Sequence, residues 1–251
     1  MMAGVKKRKI QWAISLSLVI LYFYGLSAQA QYGGGSGRAE APNLIYTAKH
    51  MNAIGANTSD YHKHFKLMAD IDLSNCAGTD FNIIGITYGN PFTGVFDGNG
   101  HTISHLTIAG GRYLGLFGCL ESGAEVRDLG LVDVNIANSG SFVGGLVGRN
   151  YRGYVAQCYS TGTVNGNDHV GGLVGYNSNG SVLNCYSTGA VYGGRYVGGL
   201  VGVNNDAMTN CYSSGAVSGE EKVGGMGKFS CIVLIKTFGY LRGDFSKNSG
   251  I

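Results

Sequence analysis

Three groups of side chains in this chain could do chemistry, and their spacing decides which of them act together. The thiols come first. Cys158, Cys185 and Cys211 lie 27 and 26 residues apart, and each is followed by Tyr and Ser. Cys76, Cys119 and Cys231 share no such spacing, and no Cys-x-x-Cys pair or Cys/His cluster points to zinc. Equally spaced cysteines on stacked strands have neighbouring Cα atoms about 4.8 Å apart, within disulfide range. In-register side chains run side by side, however, which strains a bridge, so a ladder of buried free thiols is expected.

The imidazoles and carboxylates form the second group. His62 and His64 alternate near Asp60 as metal ligands on one strand face would, although a solvated loop is the expectation. His101 and His105 sit in and after the turn Asp97-Gly98-Asn99-Gly100. Counted as a calcium loop from Asp97, the twelfth position is Ile108, which cannot supply a bidentate carboxylate; an Asx-type turn explains the four residues. Asp70 and Asp72 alternate as the polar side of a half-buried strand. Cleavage or elimination on a polysaccharide needs paired carboxylates, or a base beside a neutralising cation. The scattered Arg149, Arg152, Asp168, Arg195, Asp206, Glu220, Glu221 and Lys222 read as sharing no position that would build such a pair. Nucleophile elbows, phosphate loops and dinucleotide fingerprints are absent. No catalytic residue, cofactor site or metal site is assigned.

The third group is Tyr159, Tyr186 and Tyr212, each next to Ser and Thr or Ser. Facing outward, they form an aromatic, hydroxyl-bearing ladder able to stack on sugar rings or pack on a protein. Facing inward, or covering the wall, they are structural.

These ladders presuppose a repeat. Val143-Gly144-Gly145-Leu146-Val147-Gly148 recurs as Val170-Gly171-Gly172-Leu173-Val174-Gly175 and as Val197-Gly198-Gly199-Leu200-Val201-Gly202, 27 residues apart each time. Asn150, Asn177 and Asn204 keep the same register. Each unit holds short runs rich in Val, Leu, Tyr, Cys and Thr between Asn/Gly/Ser/Asp clusters, which are strand and turn signals. Helical repeats are excluded by periodicity, and a propeller blade needs about 40–45 residues. The fold class expected is all-β, a right-handed parallel β-helix of about six coils with two or three strands per coil and a small N-terminal α/β cap. Its handedness rests on the general crossover preference. Glycine supplies 44 of 251 residues, about 17.5% against a usual ~7%. Sharp turns explain part of that excess. The Gly-Gly pairs either let neighbouring segments approach closely or mark a bulge.

The repeated Gly-Leu-Val-Gly tetrapeptides, Gly145 to Gly148, Gly172 to Gly175 and Gly199 to Gly202, resemble the GLUG motif of secreted bacterial proteins. Asn184 to Gly189, with its variants from Gln157 and Asn210, is similar to the second half of that motif. Phe92 to Ile103 and His64 to Leu73 resemble the segments that precede such repeats. The resemblance covers about residues 44–226. It implies a β-helix-like solenoid and no established activity, because these repeats occur in large surface proteins, some IgA-cleaving peptidases among them, outside the catalytic part.

The organisation expected is a signal peptide at 1–30, a Gly-rich spacer at 31–43, an N-terminal cap at 44–80, the β-helix at 81–226 and an irregular tail at 227–251. Lys6, Lys7, Arg8 and Lys9 precede an apolar run and an Ala-Gln-Ala end, the pattern of a cleaved secretory leader; uncleaved, it would be a membrane anchor. Taking those four from the 18 Lys and Arg leaves 14 against 15 Asp and Glu, so the net +3 becomes −1. No basic patch argues for nucleic acid. In the cap, Thr47 is placed to start a helix over Ala48–Ile54 with Gly55 as its stop, followed by a first strand over Phe65–Leu73. The tail breaks the motif after Met226. It reads either as a cap strand or as the end of a truncated or frame-shifted product. The function expected is an exported, non-catalytic repeat module at the cell surface, its partner an extracellular glycan or a surface protein. The alternative is a fragment of a polysaccharide-degrading β-helix enzyme or a non-catalytic part of a surface peptidase.

Overall fold

The computed structural model describes residues 31–76, 80–137 and 140–225, together with the backbone of 231–233 and 241–242. Residues 1–30, where the leader is expected, and most of the tail lie outside the described residues. The described chain is a parallel β-solenoid. Every strand pair is parallel, and successive coils stack in register, Val147 on Val174 and Val174 on Val201.

Each repeat coil has four sides, one more than the upper expectation. In the coil from Ser141 they are the runs Ser141–Gly144, Val147–Tyr151, Tyr154–Ala156 and Tyr159–Asn165. In the second and third repeat coils the fourth side is split into two strands, Tyr186–Ser187 with Ala190–Tyr192 and Tyr212–Ser213 with Val217–Ser218. Stacking these runs builds four sheets, called here sheets 1 to 4, of four, four, eight and ten strands. The hexapeptide Val143 to Gly148 is therefore not a single strand. It ends one strand at Gly144, turns through Gly145 and Leu146, and begins the next at Val147.

The glycines explain that corner. A Cβ on Gly175 would lie 2.6 Å from the Gly148 carbonyl oxygen, 2.6 Å from the Val143 nitrogen and 2.8 Å from the His169 oxygen. Sheets 1 and 2 thus meet backbone to backbone, and the Gly-Gly pairs do the same. A Cβ on Gly144 would lie 2.7 Å from the Gly175 nitrogen and one on Gly171 2.7 Å from the Gly202 nitrogen, which resolves the pairs in favour of close approach. At the same corner Gly145, Gly172 and Gly199 leave room for the buried hydroxyls of Ser160, Ser187 and Ser213. The sharp turns are mostly made by other residues: among glycines 140–225 only Gly162 takes a left-handed φ. Gln157, Asn184 and Asn210 do so at one corner, with φ of 55°, 53° and 52°.

The interior changes along the stack. Near the N-terminus it is aromatic, with Phe92 and Phe96 packed on Phe117 at ring-centroid distances of 5.1 and 5.5 Å. In the repeats it is aliphatic, with Val126, Val155, Val182 and Met208 in one buried column. Beside it runs a second buried ladder, Asn150, Asn177 and Asn204, all fully inaccessible. The Asn150 amide donates to Asn177 Oδ1 at 2.8 Å, and the Asn177 amide donates to Asn204 Oδ1 at 2.6 Å. Each amide also donates to a carbonyl in the next corner, Gly153, Gly180 and Asp206 respectively. The ladder satisfies corner backbone groups that burial would otherwise leave unpaired.

The cap differs from expectation in three places. The first strand is Asn43–Ile45, and the run Phe65–Leu73 splits into His64–Leu67 in sheet 3 and Ile71–Asp72 in sheet 4. The helix spans Ala48–Ala56, with Thr47 Oγ1 accepting from the His50 N–H and Met51 and Ile54 buried. Gly55 does not stop it; the Asn82 backbone lies against the Gly55 Cα, where a Cβ would collide. The segment read as a flexible spacer is packed: Tyr32 is buried, and its hydroxyl donates to Asp60 at 2.9 Å. Lys63 pairs with the same carboxylate. Burial pushes the Asp60 carboxyl up, but Lys63 and Tyr32 outweigh it and hold the group below the ordinary range. In the tail, Cys231–Val233 pairs in parallel with Ala207–Thr209, and Leu241–Arg242 with Val217–Ser218.

Candidate functional site

The segment Cys-Tyr-Ser alternates across sheet 4, as a strand must. Cys158, Cys185 and Cys211 are buried, Ser160, Ser187 and Ser213 are buried, and the tyrosines between them face outward, half-buried at Tyr159 and Tyr186 and 39% exposed at Tyr212. The rings of Tyr159 and Tyr186 lie 4.9 Å apart with planes 3° from parallel, and those of Tyr186 and Tyr212 lie 4.9 Å apart at 4°. The Tyr159 ring leans over Gly130, the register partner one coil earlier, where a Cβ would strike it. Because the planes are parallel, all three rings lean the same way and overlap like tiles. Burial and the two neighbouring hydroxyls push the Tyr186 phenol up.

The surroundings of the ladder are polar and uncharged. The sheet 4 segments 159–165, 186–192 and 212–218 contain no Asp, Glu, Lys or Arg. Thr161, Thr188 and Ser214 form the next outward column. Asp133 bounds the face on the coil before, where its N–H donates to Thr161 Oγ1.

The cysteines point the other way. Cys76, Cys119, Cys158, Cys185 and Cys211 are free thiols. The three ladder thiols donate to carbonyl oxygens two residues earlier, at 3.1, 3.2 and 3.2 Å. Burial pushes Cys119 up to about 11. Burial also raises Cys185, and contact with Cys185 followed by burial raises Cys211. A thiol kept protonated and enclosed is a poor nucleophile. Native protein at mildly alkaline pH is expected to leave Cys119, Cys158, Cys185 and Cys211 unlabelled by iodoacetamide, while unfolded protein labels all of them. Peptide mapping by mass spectrometry checks this, and rapid labelling of the native ladder would show that the thiols are reachable.

The remaining candidates are dispersed. His101 Nδ1 lies 3.2 Å from Asp70, and His105 Nδ1 lies 2.8 Å from Asp72. The Thr102 N–H, then His101, hold the Asp70 carboxyl low; the Ser74 N–H, then His105, do the same for Asp72. These pairs tie adjacent coils together. Among the described residues no group of three or more His, Cys, Asp or Glu is placed to hold a metal ion, and His62 and His64 have no third partner for one.

One reading of the charges is corrected. Asp168, Arg195 and Glu221 do share a position: Arg195 is in register with both, and its guanidinium grips Asp168 through two hydrogen bonds of 2.9 and 2.8 Å. The column alternates in sign around the Asp168–Arg195 ion pair, so it is not a pair of like carboxylates for acid and base work.

Sequence reasoning also missed a second aromatic stripe, on sheet 1. Tyr113, Phe142, His169 and Tyr196 stack in sequence at 5.2, 4.6 and 4.9 Å, and Lys222 Nζ lies 4.2 Å over the Tyr196 ring. All five residues have left-handed backbones, with φ of 54–63°. Tyr176 from sheet 2 meets Phe142 and His169 edge-on. Burial, partly opposed by Asp168, lowers the His169 imidazole. The stripe fills the space between sheets 1 and 2 outside the glycine contact. Its signal was present: an aromatic ring or His stands immediately before Val-Gly-Gly in each regular repeat.

The model of the GLUG motif matches residues 139–165, 166–192 and 193–218. Residues 139–218 are three consecutive GLUG repeats. A Gly-rich membrane protein, so named, of Evansella cellulosilytica is 34% identical over 148 residues, which are 55% of this chain and 17% of that protein. Halomucin of Haloquadratum walsbyi is 35% identical over 153 residues, 57% of this chain and 2% of that protein. The GLUG chain thus matches only a minor part of either curated relative. Among solved structures, a chain from Bacteroides ovatus named as an immunoglobulin A1 protease superposes with a TM-score of 0.71 and 25% identity, over 85% of this chain and 70% of that one. No helix among the described residues is long and apolar enough to cross a membrane.

Proposed function

We propose that this GLUG-repeat chain is an exported, non-catalytic module that binds at the cell surface through the outer face of sheet 4. The observation that carries the reading is the tyrosine ladder. Three aromatic rings, one per coil, are held parallel and solvent-facing with a hydroxyl column beside them. The buried thiols, the ion-paired charges and the dispersed His–Asp pairs offer no competing site. The names of its relatives, a membrane protein and a mucin, favour a surface location.

The test is binding of fluorescently labelled protein to intact cells and isolated envelope. The wild type is expected to bind, and Tyr159→Ala/Tyr186→Ala/Tyr212→Ala to lose most of that binding while melting at a similar temperature. Release of reducing sugar from pectin or alginate would overturn the non-catalytic reading.

A further inference from the structure

The face that carries the ladder is small, neutral and periodic, and those three properties together specify an occupant. This inference rests on the binding reading above and narrows it. The seven residues Tyr159–Asn165 give the face a width of about 23 Å, and three coils give it a height of about 14 Å, so it offers roughly 300 Å². A stable protein partner needs about 800 Å² on each side. The uncharged face is therefore too small to hold a protein by itself, and it suits a slender chain.

Charge narrows the class. An acidic polysaccharide needs Arg or Lys to meet its carboxylates or sulfates, and segments 159–165, 186–192 and 212–218 supply none. Asp133, of the wrong sign, bounds the face on the coil before. On the coil after, the register partner of Ser218 is Arg242, six residues along the run from the tyrosine position and so about 20 Å from the ladder. The hydroxyls of Thr161, Thr188 and Ser214, and the phenols of the ladder, can both donate and accept, which suits sugar hydroxyls. The open side of each leaning ring offers the apolar surface that the C–H face of a pyranose covers.

Direction follows from the pitch. The rings recur every 4.9 Å along the stack. A pyranose in an extended chain advances about as far as one coil rises, about 4.8 Å. A chain laid along the solenoid axis meets an equivalent tyrosine and hydroxyl at every sugar, whereas one laid across the strands meets a single tyrosine.

We infer that the ladder binds a neutral, linear, extended glycan parallel to the solenoid axis, about one sugar per coil. The experiment is calorimetric titration of the full chain with cello- and manno-oligosaccharides of one to six units, and with oligogalacturonates as the acidic arm. Affinity for the neutral series is expected to rise up to about three units, one per tyrosine, and then level off. It should be insensitive to added salt. Tyr186→Ala should weaken it by roughly tenfold, with Tyr186→Phe retaining most of the binding. Preference for oligogalacturonates, or steep weakening in salt, would overturn the neutral assignment while leaving the binding reading intact. Binding to cells without binding to any oligosaccharide would likewise reject the glycan and keep the surface module. Absence of cell binding as well would reject both.

Discussion

Gly175→Ala is expected to destabilise the solenoid by about 3 kcal/mol or more, at the upper end of what overpacking costs. Elsewhere the same change often stabilises a protein by about 0.4–1 kcal/mol, because alanine has less freedom to lose on folding. Here the new Cβ meets backbone only: the oxygen of Gly148 at 2.6 Å, the nitrogen of Val143 at 2.6 Å and the oxygen of His169 at 2.8 Å. No flexible side-chain tip can give way. Relief requires sheets 1 and 2 to separate locally, which loosens the stacked rings of Phe142, His169 and Tyr196 outside the contact and Leu173 inside it. The comparison is Gly111→Ala, where a Cβ meets nothing within 4 Å. Urea melts followed by circular dichroism should show a large drop in midpoint for Gly175→Ala and little change for Gly111→Ala. Equal midpoints would mean that sheets 1 and 2 can part freely.

Asn177→Ala is expected to cost about 3–5 kcal/mol, the sum of the groups it strands at about 1–3 kcal/mol each. Asn177 is the middle rung of a fully buried ladder. Its removal leaves Asn204 Oδ1 and the Gly180 carbonyl without that donor, and it takes one of two acceptors from the Asn150 amide. A small cavity adds to the loss. Truncating a second rung should cost less than the first, since its partner has already gone. The double variant Asn177→Ala/Asn204→Ala should therefore be more stable than the two single effects summed. Strict additivity in chemical melts would show that the rungs act separately.

Much of the fold is legible in the sequence because a coil repeats its errors and its signals alike. The offsets of 27 and then 26 residues stack Val on Val, Cys on Cys and Tyr on Tyr, and the structure keeps that register. What the periodicity does not locate is the corner inside Val143 to Gly148. Two consecutive residues without side chains give no alternation, so a bent segment reads as a straight one. The inner and outer sides of Cys-Tyr-Ser were open for a related reason: a buried Ser is unexpected until Gly145, Gly172 and Gly199 are seen to make room for it. The left-handed backbone at Phe142, His169 and Tyr196 runs against ordinary preference, so a sequence reading does not anticipate the stack it aligns along the coil axis. The ion-pair column was countable, since Asp168, Arg195 and Glu221 keep the offsets of the cysteines, but its alternating signs conceal the shared position.

The uniform register of the coils has a consequence for how such a chain changes length. Residues 166–192 form a complete turn whose two ends present the same apolar, Asn and Tyr contacts, although the Asp168–Arg195 ion pair would go with it. Excising them would bring Asn150 under Asn204, Val147 under Val201 and Tyr159 under Tyr212, each pair chemically equivalent to the one removed. Near-identical units also make the underlying gene prone to unequal crossing-over. The module therefore behaves as a ruler graduated in coils. Recombination can lengthen or shorten it by one mark at a time, and every product inherits a continuous interior and an unbroken row of tyrosines.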